Sequence, residues 1–196
     1  MSIIGINGSP RPNGNTGVLV QTVLAGAAEA GAPTRMFQLG QMNVSPCIDC
    51  NACRPTARCA IDDDNQRFYR AVAEADSPKG LVIGTPIYLD HVSAQLKIWI
   101  DRLHAYNYTD LGDFMFPNGF RAVLVMTYGA ADEHMYDFVV DWLAGLLEDR
   151  KVARVVDRIV LPGVPRLPIR VPEDVRQQAR EAGRRLATSP HPKERP

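Results

Sequence analysis

The sequence lacks a charge excess, a long apolar run and any scatter of cysteines, and each absence excludes a class of protein. Its 196 residues carry 22 Lys+Arg against 22 Asp+Glu. That balance excludes a surface built for nucleic acid, which needs a basic excess to neutralise phosphates. With 45% hydrophobic residues the chain is too apolar for an acidic disordered coil. No apolar run approaches the ~18 residues of a membrane span. The start, Met-Ser-Ile-Ile-Gly-Ile, has neither the charged nor the apolar region of a signal peptide. We therefore expect a cytoplasmic globular protein without nucleic-acid or membrane partners. One domain over residues 1–187 would precede a disordered tail at 188–196, where three prolines fall.

Several motifs are missing as well. The glycines do not fit G-x-G-x-x-G and there is no Gly-Lys-Ser/Thr, which excludes the dinucleotide fingerprint and the Walker A loop. No Ser/His/Asp arrangement is visible. His91, His104, His134 and His191 show no acidic partners at metal-ligand spacing, although His91 falls in a loop of interest below.

What is present is an alternation of apolar runs with amphipathic ones. Strands are expected at 3–6, 34–39, 81–84, 122–126 and 152–160. Helices are expected at 16–30 and, from an Asp63/Gln66 capping box, at 63–75. A stripe of Val92, Leu96, Trp99, Ile100 and Leu103 marks a third helix, and one of Met135, Phe138, Val139, Trp142, Leu143 and Leu146 a fourth. Pro172 can open a fifth carrying Val175, Ala179, Ala182 and Leu186. Five buried strands alternating with helices imply an α/β fold. The economical form is a flavodoxin-like, doubly wound, five-stranded parallel sheet in three α/β/α layers. Such sheets bind ligands at the switch point, so the loops at 7–17, 85–91 and 127–132 should converge.

The first of these loops, Gly8-Ser9-Pro10-Arg11-Pro12-Asn13-Gly14-Asn15-Thr16, joins strand to helix. Its amides and the positive helix end favour an anion, and Ser9, Arg11, Asn15 and Thr16 suit one terminal phosphate without magnesium. A plain helix cap with a turn is the alternative. The stretch Gly-Ser-Pro-Arg-x-x-Gly-Asn-Thr resembles the phosphate loop of NAD(P)H-dependent FMN reductases of the flavodoxin-like superfamily. Gly84-Thr85-Pro86-Ile87-Tyr88 and the run from Ser93-Ala94-Gln95-Leu96-Lys97 to Asp101-Arg102 agree with it, so the resemblance spans about residues 3–126. It implies that Ser9, Arg11, Asn15 and Thr16 hold the FMN phosphate. Pro86, Ile87 and Tyr88 would line the isoalloxazine, and Thr127, Tyr128 and Gly129 would border it by position. Trp99, Trp142 and the helix ending at Arg102 read as structural.

All four cysteines fall within one stretch, Cys47-x2-Cys50-x2-Cys53-x5-Cys59. Structural zinc usually takes two separated Cys-x2-Cys knuckles, whereas C-x2-C-x2-C resembles bacterial ferredoxin spacing. A site without metal, zinc, and thiol–disulfide chemistry stay open beside a 4Fe–4S cluster. The motif is similar to that of the iron–sulfur flavoproteins, which implies Cys47, Cys50, Cys53 and Cys59 as cluster ligands. Asp49 adds negative charge there, and Arg54 and Arg58 could offset it.

Asp62, Asp63 and Asp64 read as the acidic start of a helix. Tyr106, Tyr108, Phe114, Phe116 and Phe120 would form a buried lid, a subunit contact or a substrate cover. The resulting expectation is an FMN-dependent oxidoreductase passing electrons between a reduced donor, FMN and a cluster. The donor would be NAD(P)H, bound transiently, or a ferredoxin-type protein. The resemblance also implies a homodimer or homotetramer. The rivals are a cluster-free NAD(P)H:FMN or quinone reductase and a non-catalytic FMN electron carrier.

Overall fold

The computed structural model describes residues 2–73, 80–165, 167 and 169–188. Its elements run β1 (Ile3–Asn7), α1 (Asn15–Glu29), β2 (Thr34–Gln38), α2 (Gln66–Ala73), β3 (Gly80–Tyr88), β4 (His91–Val92), α3 (Ala94–Arg102), β5 (Arg121–Thr127), α4 (Asp137–Asp149), β6 (Arg154–Leu161) and α5 (Glu173–Thr188). Five strands pair in parallel in the order β2-β1-β3-β5-β6, and β4 folds back antiparallel onto β3.

Burial follows position in the sheet. Every residue of β1 and β5 is buried, and every residue of β3 except Tyr88, because helices cover both faces of the central strands. The edge strand β6 is buried at only two of its residues. On one face α1 and α5 close a core of Leu19, Val23, Ala179, Ala182 and Leu186 against Val82, Val123 and Val125. These helices approach backbone to backbone: a Cβ on Gly183 would lie 1.9 Å from Val23 O. On the other face α2, α3 and α4 pack Phe68, Leu96, Trp99, Val139 and Leu143 against Ile4, Ile6, Leu81 and Leu124. This is the flavodoxin-like three-layer arrangement, with its switch point between β1 and β3.

Some boundaries differ from expectation. The sheet has a sixth strand, β4, because the chain turns through Leu89 and Asp90, both at positive φ, straight into a two-residue pairing with β3. Helix α2 opens at Gln66 rather than Asp63, since the Asp63 carboxylate is occupied elsewhere and Gln66 donates to Cys59 O and Ile61 O. Its expected continuation at 74–75 lies outside the described residues, as does the tail at 189–196 with His191. Helix α4 begins at Asp137 and turns Val139, Val140, Leu143 and Leu147 inward. Met135 and Phe138, expected on that stripe, are therefore exposed.

The expected aromatic lid divides in two. Phe116 and Phe120 are buried, with Phe116 against Phe68 and Tyr106, while Tyr108 and Phe114 lie over Arg150. No helix among the described residues is long and apolar enough to cross a membrane.

Candidate functional site

Beyond the carboxyl ends of β1, β3 and β5 lies a cavity of about 500 Å³, within the range of cofactor sites. The three expected loops do converge on it. Pro10, Arg11, Asn15 and Thr16 come from the first, Pro86, Ile87 and Tyr88 from the second, and Thr127, Tyr128 and Gly129 from the third. Val164 and Pro165, from the connection after β6, complete the wall. Ser9, the tenth expected cofactor residue, is not part of the lining. None of the five aromatics of the expected lid lines it either.

Most polar side chains of the first loop hold the loop itself. Ser9 Oγ donates to Arg11 O at 3.0 Å and accepts from Arg11 N at 3.1 Å. Asn15 donates to Pro165 O at 3.3 Å and accepts from Arg170 N at 3.0 Å, which fastens the β6–α5 connection to the site. The hydroxyls of Thr16 and Thr127 lie 2.7 Å apart and join two of the loops. Ser93, the cap of α3, donates to Gly8 O at 2.6 Å. Gly17 is required here, because a Cβ would sit 1.9 Å from Pro12 O.

The start of α1 remains open to a ligand. Its capping residue, Gly14, supplies no side-chain hydrogen bond and the first turn holds no acid. Gly14 offers no capping side chain, and the amides and dipole of this helix end favour an anion beside Arg11. Tyr88 stands half-exposed at the rim. Tyr128 is buried, with its hydroxyl donating to Asp132 O and Glu133 O. Burial, then the nearby Asp137, Asp132 and Glu133, push that hydroxyl's pKa up, so it stays a donor. Volume, open helix end and one fixed cation together fit FMN.

The cysteine loop lies between β2 and α2. Over residues 47–59 only Cys53 is buried, Cys59 is half-buried, and Cys47 and Cys50 are exposed. All four are free thiols. Asp49, Asn51 and Ala57 adopt positive φ and turn the chain within the spacers. The four cysteines line one small pocket of about 20 Å³ together with Ile48, Ile61, Arg102 and His104. Burial pushes the Cys53 thiol up, and the neighbouring thiols of Cys59, Cys47 and Cys50 add to this. A bound cation would reverse that mutual repulsion.

Among the described residues no group of three or more His, Cys, Asp or Glu side chains is gathered as a metal site. Four soft thiols around one pocket are the donor type that an iron–sulfur cluster takes.

The loop is fastened at its base. Asp63 accepts from Ser45 N at 3.0 Å and Asp64 from Asn43 N at 2.8 Å. Asp63 is also ion-paired with buried Arg102 at 2.5 Å. Burial alone would raise the Asp63 carboxyl, but hydrogen bonds from Arg102 and the Ser45 and Asn65 amides outweigh it and hold its pKa below the usual range. Asp63 also accepts from Asn65 N at 3.0 Å at the start of α2, while Gln66 turns to Cys59 O and Ile61 O and completes no capping box. Arg54, expected to offset Asp49, instead pairs with Asp110 at 3.2 Å.

The sequence reading missed Arg102 at this pocket. Its signal was placement: Arg102 stands three residues after Trp99, on the inward stripe. His134, expected to lack acidic partners at metal-ligand spacing, forms a surface pair with Asp137 at 3.0 Å. His91 packs edge-on against Trp142 with ring centroids 4.4 Å apart.

A doubly wound flavodoxin-like sheet with an FMN-sized cavity at its switch point defines a class of flavin-binding protein. The chain belongs to the NADPH-dependent FMN reductase family, whose profile matches residues 1–144. An iron–sulfur flavoprotein of Methanocaldococcus jannaschii is 44% identical over 102 residues, 52% of this chain and 51% of that one. An iron–sulfur flavoprotein of Archaeoglobus fulgidus is 28% identical over 82% of this chain and 62% of its own length. The chain spans about half the length of the curated relatives it matches first. In three dimensions it is similar to an NAD(P)H:quinone oxidoreductase from Methanothermobacter marburgensis. That likeness has TM-score 0.74 and 19% identity, over 97% of this chain and 98% of that one, and it shows the fold.

Proposed function

We propose that the chain is a flavin-dependent oxidoreductase that binds FMN in the switch-point cavity and a 4Fe–4S cluster on Cys47, Cys50, Cys53 and Cys59. Electrons would pass between a reduced donor, NAD(P)H or a ferredoxin-type protein, and these two groups. The observation that carries this reading is the convergence of four thiols on one pocket, in a chain whose switch-point cavity has the size and open helix end that FMN needs. The names of the iron–sulfur flavoprotein relatives support it.

When bound, the flavin exchanges two electrons with a hydride donor and single electrons with a cluster. The protein supplies position and electrostatics. Arg11 and the first amides of α1 hold the terminal phosphate. Pro86, Ile87 and Tyr88 would line the flavin ring, and Thr127, Tyr128 and Gly129 would border it. Asn15 and Thr16, which line the cavity, would share the phosphate while holding the loops in register, and Ser9 holds the first loop from within. Tyr88 at the exposed rim leaves room for a transient NAD(P)H or another small redox substrate. A homodimer or homotetramer in the cytoplasm completes the proposal.

The small volume of the cysteine pocket favours a second reading, a cluster-free NAD(P)H:FMN or quinone reductase. Anaerobic purification separates the two. The first predicts brown protein with iron and sulfide in near-stoichiometric ratio to flavin; yellow, iron-free protein overturns it. Steady-state NAD(P)H oxidation with FMN, quinone or oxygen as acceptor tests for an enzyme, and absence of turnover leaves only an electron carrier.

A further inference from the structure

We propose that Arg102 is the positioning residue of the cysteine loop. Its buried guanidinium ties the entry of the loop to the exit and sets a positive charge beside the four thiols, so both cluster retention and cluster potential depend on it. This rests on the cluster reading above.

The side chain of Arg102 reaches from the last residue of α3 into the base of the loop and has no solvent exposure. Nη1 donates to Ser45 O at 2.8 Å and to Asp63 Oδ2 at 2.5 Å. Nη2 donates to Asp63 Oδ1 at 3.3 Å and approaches Ile61 O at 3.5 Å. Ser45 lies two residues before Cys47 and Ile61 two residues after Cys59. One planar fork therefore holds both legs of the loop, directly and through Asp63, which itself accepts from Ser45 N. A lysine could supply the charge but not the fork.

The guanidinium is the buried cation of this pocket, which the Asp49 carboxylate also lines. Arg102 lines it with all four cysteines, whereas Arg54 is drawn away to Asp110 on the surface. Tyr69 holds the arginine from behind: its ring lies 6.0 Å from the guanidinium carbon and its hydroxyl donates to Arg102 O at 2.7 Å. Arg102 Nε is buried and has no hydrogen-bond partner among the described residues. Buried donors are rarely left unpaired, and the pocket that Arg102 lines carries four sulfurs beside the oxygens of Asp49 and Asn51. Partners that orient metal ligands in this way typically matter as much as tenfold or more to metal retention.

Arg102 and its partners lie apart from the lining of the flavin cavity, so FMN content serves as an internal check of folding. After anaerobic reconstitution with iron and sulfide, Arg102→Met should bind FMN as the parent does but retain about tenfold less cluster. Arg102→Lys should retain an intermediate amount at nearly the parent potential. The cluster left in Arg102→Gln should reduce at a lower potential in an EPR-monitored titration, because the reduced, more negative form loses its neighbouring cation.

Parent-like iron, sulfide and potential in Arg102→Met overturn the proposal. Should that variant fail to bind FMN, Arg102→Lys decides: full cluster content overturns the proposal, and reduced content with full FMN supports it. If the parent itself takes up FMN but no cluster, the cluster reading fails separately. The anchoring role is then read from alkylation of Cys53 and Cys59. Several-fold faster alkylation in Arg102→Met supports it, and unchanged rates overturn it.

Discussion

The flavin cavity is walled by loops anchored to the ends of three almost wholly buried strands, while the cysteine pocket is formed by one loop that is exposed at most of its residues. The cavity holds about 500 Å³ before any ligand arrives; the cysteine pocket holds about 20 Å³. The sheet enforces the first, because parallel strands bring their carboxyl ends together at the switch point whatever the loops contain. Nothing comparable enforces the second. Four thiols repel one another as they ionise and offer little apolar surface to bury, so only a bound group or an anchor at the base can set their geometry. A cavity framed by the sheet and a pocket carried by one loop thus share one chain, and they should respond differently to the same kind of perturbation.

The largest contrast is expected from Cys53→Ser. Replacing the one buried thiol should abolish iron and sulfide incorporation, while FMN affinity by fluorescence titration stays within about twofold. Parallel loss of FMN would show that the two sites are coupled and not independent.

The converse is Arg11→Ala. Losing a charge-assisted contact to phosphate should weaken FMN by about tenfold or more, since such bonds contribute about 1.5–3 kcal/mol. Cysteine alkylation rates should not change. Unaltered FMN affinity would remove Arg11 from the phosphate site.

A smaller effect is expected within the cavity's own frame. Thr127→Val breaks the buried hydroxyl pair with Thr16 and should cost about 1 kcal/mol of stability. It should also loosen FMN only modestly, measured by denaturant unfolding with and without flavin.

The smallest effect concerns pH. The Asp63 carboxyl titrates below its ordinary value in the folded protein. Its contribution is therefore fully present above the unfolded value of about 3.9 and is lost as pH falls through the folded value. Acid unfolding of Asp63→Asn should lack that part of the slope. An identical slope in both proteins would remove the buried ion pair from the base of the loop.

Much of this was legible in the chain. The alternation of apolar runs such as Leu81-Val82-Ile83-Gly84 with amphipathic stretches gave the sheet class, because buried parallel strands must be apolar on both faces. The loop from Gly8 to Thr16 was expected at the switch point, and nine of the ten expected cofactor residues line the cavity there. The exception is instructive. Ser9, like Asn15 and Thr16, has the chemistry to hold phosphate, but its hydroxyl is engaged by Arg11 two residues on. Residue type reveals what a side chain can bind, not which partner reaches it first. Strand β4 escaped notice because two residues carry no periodicity.

By itself the sequence determined the order of the five parallel strands and their helices, the place of the loop after β1 and the spacing of the four thiols. These follow from periodicities and intervals that a few neighbouring residues specify. Only the tertiary structure decided that Val164 and Pro165 close the cavity, that Asn15 holds them across 150 positions of chain, and that Arg102 reaches Ser45 across 57. Those contacts depend on which elements the fold packs side by side. A buried cation in particular takes its meaning from partners that are distant along the chain, because the low-dielectric interior makes its pairing obligatory once the sheet has placed it there.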